Sequence, residues 1–309
     1  MTISLMKNEN ILLTGCGGML GSSMYGICLD SGATVLATDI DLNESWLEHA
    51  DVRDIHECEK VFRSFKPTIT IHMAALTDLE FCEQNHDDAW KTNALGTENI
   101  ALLCKKYNSL MVYISTAGIF DGKKDVYNDF DMPNPLSYYA QSKYHGELFV
   151  ERFLEKYFIF RAGWMMGGGP LKDKKFINKI YKQIQAGATE LFVVDDKLGN
   201  PTYTRNFAES ILKVIPTEYY GLYNQTCLGN GSRHDVAQEF IRLLGLVDKI
   251  KVTKISSDHF KEEYFAPRPF SEKLVNLKLT MRNINFMKNW QECLAEYSSV
   301  FREDYEQKI

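Results

Sequence analysis

Ile11-Leu12-Leu13-Thr14-Gly15-Cys16-Gly17-Gly18-Met19-Leu20-Gly21 is the stretch that decides the fold. A short apolar run ends in three glycines spaced GxxGxxG, and a helical pattern starts inside them. Glycines at this spacing permit a tight turn, let the backbone approach a pyrophosphate, and bring helix and strand into close packing. The helix N-terminus then offers free N–H groups and its positive dipole end to the phosphates. Gly15, Gly18 and Gly21, with Met19 and Leu20 between them, are therefore the expected dinucleotide cradle. Asp39 follows eighteen residues after Gly21, at the end of a second apolar run. A carboxylate there can accept hydrogen bonds from the adenosine ribose and would repel a 2′-phosphate. No arginine follows it in Ile40-Asp41-Leu42-Asn43, so the expectation is NAD(H) in preference to NADP(H). Asp51 and Val52 are expected against the adenine, one bonding its edge and one covering it.

Outward from this loop, short apolar runs alternate with helical patterns. Strands are expected at Ile11–Leu13, Thr34–Ala37, Thr68–Ile71, Leu110–Ile114 and Phe158–Phe160, with amphipathic helices over 86–107 and 138–155. The alternation predicts an α/β fold, a Rossmann-type doubly wound parallel sheet whose ligands lie beyond the carboxyl ends of its strands. After Arg161 the texture changes. Gly167-Gly168-Gly169-Pro170 breaks the pattern, and a basic helix is expected from Lys172 to about Ala186. A strand at Leu191–Val194, a helix over 203–215 and a last amphipathic helix over 289–306 follow. The expected division is a dinucleotide domain over 1–165 plus about 203–226, and a smaller, interleaved α/β substrate domain over about 166–202 and 227–309.

Composition narrows the class. The chain has 309 residues, 45% hydrophobic and 25% charged, enough for a substantial core. Its net charge of −6 argues against nucleic acid or an acidic membrane surface as partner. The opening MTISLMKNEN lacks the apolar core of a signal peptide, and no run approaches a membrane span. Seven scattered cysteines without a CxxC pair read as reduced thiols of a soluble, cytoplasmic protein, and seven dispersed histidines point to no metal site.

Chemistry enters at Pro135-Leu136-Ser137-Tyr138-Tyr139-Ala140-Gln141-Ser142-Lys143. Tyr139 and Lys143, four apart, share a helix face, and Tyr139 is the one tyrosine of sixteen with a lysine four residues ahead. Carbonyl reduction needs a proton donor beside the hydride acceptor, and free tyrosine has a pKa of about 10. An ammonium ~4 Å away contributes up to ~4 kcal/mol at an effective dielectric of ~20. That corresponds to roughly three pKa units, enough to bring the phenol near neutrality. Ser115-Thr116 stands at the end of the fourth strand.

These residues resemble the extended short-chain dehydrogenase/reductase superfamily, and within it the dTDP-4-dehydrorhamnose reductases. The likeness runs over nearly the whole chain. It includes Ser115-Thr116-Ala117-Gly118-Ile119-Phe120-Asp121-Gly122, the PxSxYxxSK segment at 135–143, and Arg161-Ala162-Gly163-Trp164. Gly199-Asn200-Pro201-Thr202-Tyr203 and Arg268-Pro269 extend it. His72-Met73-Ala74-Ala75 and Thr92-Asn93-Ala94-Leu95-Gly96-Thr97 match the family's cofactor side, which places Ala74 and Ala75 at the dinucleotide.

The resemblance implies that Thr116 bonds the substrate carbonyl, that Tyr139 protonates its oxygen, and that Lys143 holds the nicotinamide ribose while lowering the Tyr139 pKa. The substrate would be a nucleotide-diphosphate sugar with a 4-keto group. Thr77, Ala117 and Trp164 would lie near the sugar, with Lys174, Lys175 and Arg268 as candidates for the diphosphate, and a homodimer is the family's habit. The sequence departs from those reductases at Ala117-Gly118, where they carry Asp-Tyr. It also lacks the Asp-Glu pair that sugar 4,6-dehydratases use there. An NAD-dependent nucleotide-sugar epimerase, which uses the same Thr–Tyr–Lys set, is the alternative. A regulatory subunit with a retained cofactor pocket is a third reading.

Overall fold

The computed structural model describes residues 6–306. Seven strands make one parallel sheet: β1 Asn10–Thr14, β2 Thr34–Asp39, β3 Leu47–His49, β4 Ile69–His72, β5 Leu110–Thr116, β6 Tyr157–Ala162 and β7 Gly221–Asn224. Their spatial order is β7-β6-β5-β4-β1-β2-β3. The order reverses between β1 and β4, which opens a crevice beyond their carboxyl ends. The interior strands are buried on both faces, so they read as continuous apolar runs rather than alternating ones.

Helices cover both faces. On one, Met19–Asp30 packs beside Thr204–Val214; on the other, Ile55–Phe65 packs beside Gly96–Tyr107, which in turn meets Tyr138–Phe153. The expected helix over 86–107 is broken into His86–Ala89, a π-helical turn at Trp90–Leu95, and Gly96–Tyr107. The π-turn contains Asn93, whose buried side chain bonds the backbone of Leu76 both ways: Oδ1 accepts its N–H at 2.8 Å and Nδ2 donates to its carbonyl at 3.0 Å. The basic helix starts at Phe176 rather than Lys172. Buried Asp173 ends the preceding turn, because its carboxylate accepts the Lys175 N–H at 2.7 Å and the Tyr297 hydroxyl at 2.8 Å.

After Arg161 the chain leaves the sheet and returns to it through Thr204–Val214 and β7, which pairs in parallel with β6. The lip of the crevice is built from smaller pieces. Trp164–Met166 pairs with Pro201–Tyr203, and Glu190–Val194 pairs with Lys251–Ile255. One apolar core runs from Ile11 and Leu13 through Phe158, Phe160 and Phe207 to Tyr297 and Phe301. Among the described residues all seven cysteines are free and buried, and no helix is long and apolar enough to cross a membrane.

Candidate active site

The glycine loop sits at the carboxyl end of β1, as the spacing requires. Gly15 has φ +70°, and a Cβ there would stand 2.3 Å from the backbone of Ala74. At Gly21 a Cβ would come 2.1 Å from the Cys16 carbonyl oxygen. Both positions are thus glycine by contact, and a Cβ at Gly18 would meet only the Gly15 carbonyl, at 3.8 Å. Gly18 caps the helix Met19–Asp30, whose first N–H groups open toward the crevice with no acidic residue in the first turn. The cradle therefore fits a pyrophosphate, with the Ala74 backbone against Gly15 just past β4.

The adenosine side is occupied by protein contacts. Asp39 Oδ2 accepts the Gly17 N–H at 2.8 Å and Oδ1 accepts the Asp41 N–H at 3.0 Å, so the carboxylate braces the loop. Asp51 is clasped by Arg53 at 2.6 Å, and this guanidinium holds its carboxyl below the ordinary range. Val52 is buried against Gly96 in the sheet's second core. Asp51 and Val52 therefore both have structural partners of their own.

The chemical centre lies two strands across, on β5 and the helix that follows it. Ser137 caps the helix Tyr138–Phe153 through its bond from the Ala140 N–H, and this aims the first turn at the end of β5. The Thr116 hydroxyl stands close enough to Tyr139 there to favour its charged form. Burial pushes the Tyr139 phenol up to about 12, while the Thr116 hydroxyl pulls it the other way. Lys143, 3% exposed, has its ammonium 4.2 Å over the Tyr113 ring. Burial holds it down at about 7, with the Glu147 charge opposing. The expectation of a phenol brought near neutrality by the lysine is not met: desolvation dominates at both groups, and Lys143 is not among the groups that act on Tyr139.

The support beneath is well bonded. Tyr113 donates to the Lys143 carbonyl at 3.1 Å and stacks on His72. His72 bridges Thr14 at 2.7 Å and Thr97 at 3.1 Å, and burial, then the Lys143 charge, keep it neutral with a pKa near 3. Ser142 donates to the Tyr139 carbonyl at 2.8 Å and accepts from Asn93 at 3.1 Å.

The substrate candidates divide. Trp164 lines the crevice, its Nε1–H donating to Glu272 at 2.5 Å. Lys175 and Thr77 meet, the ammonium donating to the Thr77 carbonyl at 3.1 Å, while Lys174 is exposed. Arg268 is held bidentate by Glu80 at 2.7 and 2.9 Å. Ala117 is not at the crevice surface; it is buried with Ile119, Phe120, Tyr127 and Leu274.

Two residues were not legible in the sequence. Arg233 stacks its guanidinium 3.7 Å over Trp164 and 5.1 Å from Phe176. It forms no hydrogen bond or ion pair among the described residues, and burial lowers its pKa to about 10. Ser232 and Asp235 form a capping box around it, a pattern that signals a helix start and says nothing of the arginine. Glu272 lies four residues beyond Arg268 in a segment without regular structure. A nearby trio, Asp195, His234 and Asp235, gathers within 4.8 Å, but its carboxylates already serve Ser232 and Lys254.

Comparison with known proteins then fixes the family. The RmlD substrate binding domain profile matches residues 9–302. The chain belongs to that family. It is 28% identical to a dTDP-4-dehydrorhamnose reductase of Mycobacterium tuberculosis over 94% of this chain and 92% of the relative. A dTDP-4-dehydrorhamnose reductase structure from Clostridium acetobutylicum superposes with a TM-score of 0.85 at 34% identity, covering 96% of this chain and 99% of that one. The RmlD-family protein is an oxidoreductase of the extended short-chain dehydrogenase type.

The expected preference for NAD(H) is overturned. A dTDP-4-dehydrorhamnose reductase from Bacillus anthracis, 28% identical with a TM-score of 0.84 over 94% of this chain and 98% of that one, is in complex with NADP. The physical reason lies in Asp39. Both of its oxygens are spent on backbone N–H groups, so its presence does not by itself exclude a 2′-phosphate.

Proposed function

We propose that this protein reduces the keto group of a nucleotide-linked 4-keto-6-deoxyhexose, with NADPH as reductant and Tyr139 as proton donor. The carrying observation is the Thr116–Tyr139 hydroxyl pair at the end of β5, two strands from the glycine cradle and beside buried Lys143. The dinucleotide, when bound, supplies the hydride.

Thr116 orients the carbonyl oxygen, and Tyr139, neutral at working pH, donates the proton that this oxygen needs as it gains charge. Lys143 in its ammonium form then stabilises the phenolate left behind. Ser142 and Asn93 hold the Tyr139 backbone, and Tyr113 holds that of Lys143, so both groups stay in place between turnovers. Trp164 carries the Arg233 guanidinium on its ring, and this guanidinium, not spent on a protein carboxylate, is the best diphosphate ligand of the lip. Arg268 would first have to leave Glu80. The NADP complex of the B. anthracis relative supports NADPH.

The test is loss of NADPH absorbance with a panel of nucleotide-linked 4-keto-6-deoxyhexoses. One equivalent of NADPH oxidised per sugar supports the reductase. Conversion of sugar with no net oxidation assigns the site to an epimerase, and no conversion in any arm favours a regulatory role.

A further inference from the structure

The glycine at 118 opens a gap that another part of the chain fills. A methyl added there would lie 3.3 Å from Glu272 Oε1 and 3.4 Å from Thr116 Oγ1. The carboxylate and the hydroxyl therefore close in on one point beside Gly118, and the Glu272 charge is felt at Tyr139. Of the two Glu272 oxygens, Oε2 accepts the Trp164 Nε1–H, and Oε1 has no hydrogen bond among the described residues.

The carboxylate is also fixed in position. The Glu272 N–H donates to the Leu198 carbonyl at 2.8 Å. Its neighbours Ser271 and Lys273 are both tied to Asp125, at 2.6 and 2.5 Å. Burial raises its pKa, and Trp164, Arg233, Arg268 and Lys197 favour the charged form. A carboxylate is an acceptor only, so the group it meets must be a donor.

We propose that Glu272 is a specificity-determining residue whose free Oε1 accepts a hydrogen bond from a hydroxyl or amino group on the sugar carbon next to the ketone. The position follows from this closeness of Glu272 Oε1 to Thr116: a ketone bound at Thr116 puts its neighbouring ring substituent at Glu272. This rests on the reductase reading above and adds to it which sugars are accepted. A hydrogen bond to a charged acceptor corresponds to about 10- to 100-fold in discrimination.

The experiment measures kcat/KM with NADPH, and calorimetric Kd, for three nucleotide-linked 4-keto sugars bearing hydroxyl, amino or hydrogen at that carbon. Wild-type protein is expected to favour one of the donor sugars over the deoxy sugar by about 10- to 100-fold, and the hydroxyl and amino arms show which donor the site takes. In Glu272→Gln the amide oxygen keeps the Trp164 bond and the NH2 faces the substrate, donor against donor. The preference should then vanish or invert. Gly118→Ala, which crowds Oε1, should reduce the same ratio and stands in if Glu272→Gln fails to fold. An equal loss on all three sugars would mean that Glu272 only positions Trp164, and would overturn the proposal. Because the Kd ratios read Glu272 without turnover, wild-type binding with no NADPH oxidised would sink the reductase reading alone.

Discussion

The two sides of the crevice are built on opposite terms. On the cofactor side nearly every polar group already has a protein partner: Asp39 holds Gly17, His72 bridges two threonines, and Asn93 clamps Leu76. On the substrate side, Arg233 has only aromatic faces and Glu272 keeps one oxygen free. The first side is a rigid cradle that needs shape from its ligand. The second holds fixed but unsatisfied charge, which suits a ligand that supplies the missing partners.

The largest expected effect breaks the cradle. Gly21→Ala forces a methyl into the Cys16 carbonyl, 2.1 Å away, and should cost about 3 kcal/mol or more while abolishing dinucleotide binding. Thermal unfolding and NADPH fluorescence titration would read both. On the other side, Arg233→Ala should unfold no earlier than wild type, since burial of an unpaired guanidinium opposes folding. It should raise KM for the nucleotide sugar about 10- to 100-fold with kcat nearly kept. Arg268→Ala, by contrast, breaks a pair that Glu80 already satisfies and should change KM only a few-fold by steady-state kinetics.

The contrast also explains which residues could be read in advance. The glycines, Asp39 and the Tyr139–Lys143 pair act at short spacings, where one turn of helix or one βα connection fixes who meets whom. The substrate lip brings together Trp164, Arg233 and Glu272 from three separate segments, and only tertiary packing joins them. Asp39 shows a subtler limit. Its position was legible, but its use was not, because the choice between ribose and backbone depends on where Gly17 points. Lys143 shows a related limit: spacing gave its neighbour Tyr139, while its burial beside Tyr113, which holds its own pKa down, comes from the sheet.

A smaller effect tests the burial of Lys143 by pH. Folded Lys143 titrates near 7 against an ordinary 10.5, so between these values the folded state binds fewer protons than the unfolded one. Its contribution to stability therefore rises with pH across that window and falls as pH drops toward 7. Activity of the free enzyme should move the other way: kcat/KM should decline above about 7, approaching tenfold per pH unit, as the ammonium is lost. Paired pH profiles of Tm and kcat/KM would show the opposed slopes, and a kcat/KM flat to pH 9 would remove Lys143 from the chemistry.

Tyr139→Phe tests the central claim most directly. The substitution removes one hydroxyl and should leave the affinities for NADPH and the nucleotide sugar within a few-fold of wild type. Single-turnover oxidation of NADPH should fall by about 100-fold or more. Unchanged turnover, or a loss confined to KM, would contradict the assignment of Tyr139 as the proton donor.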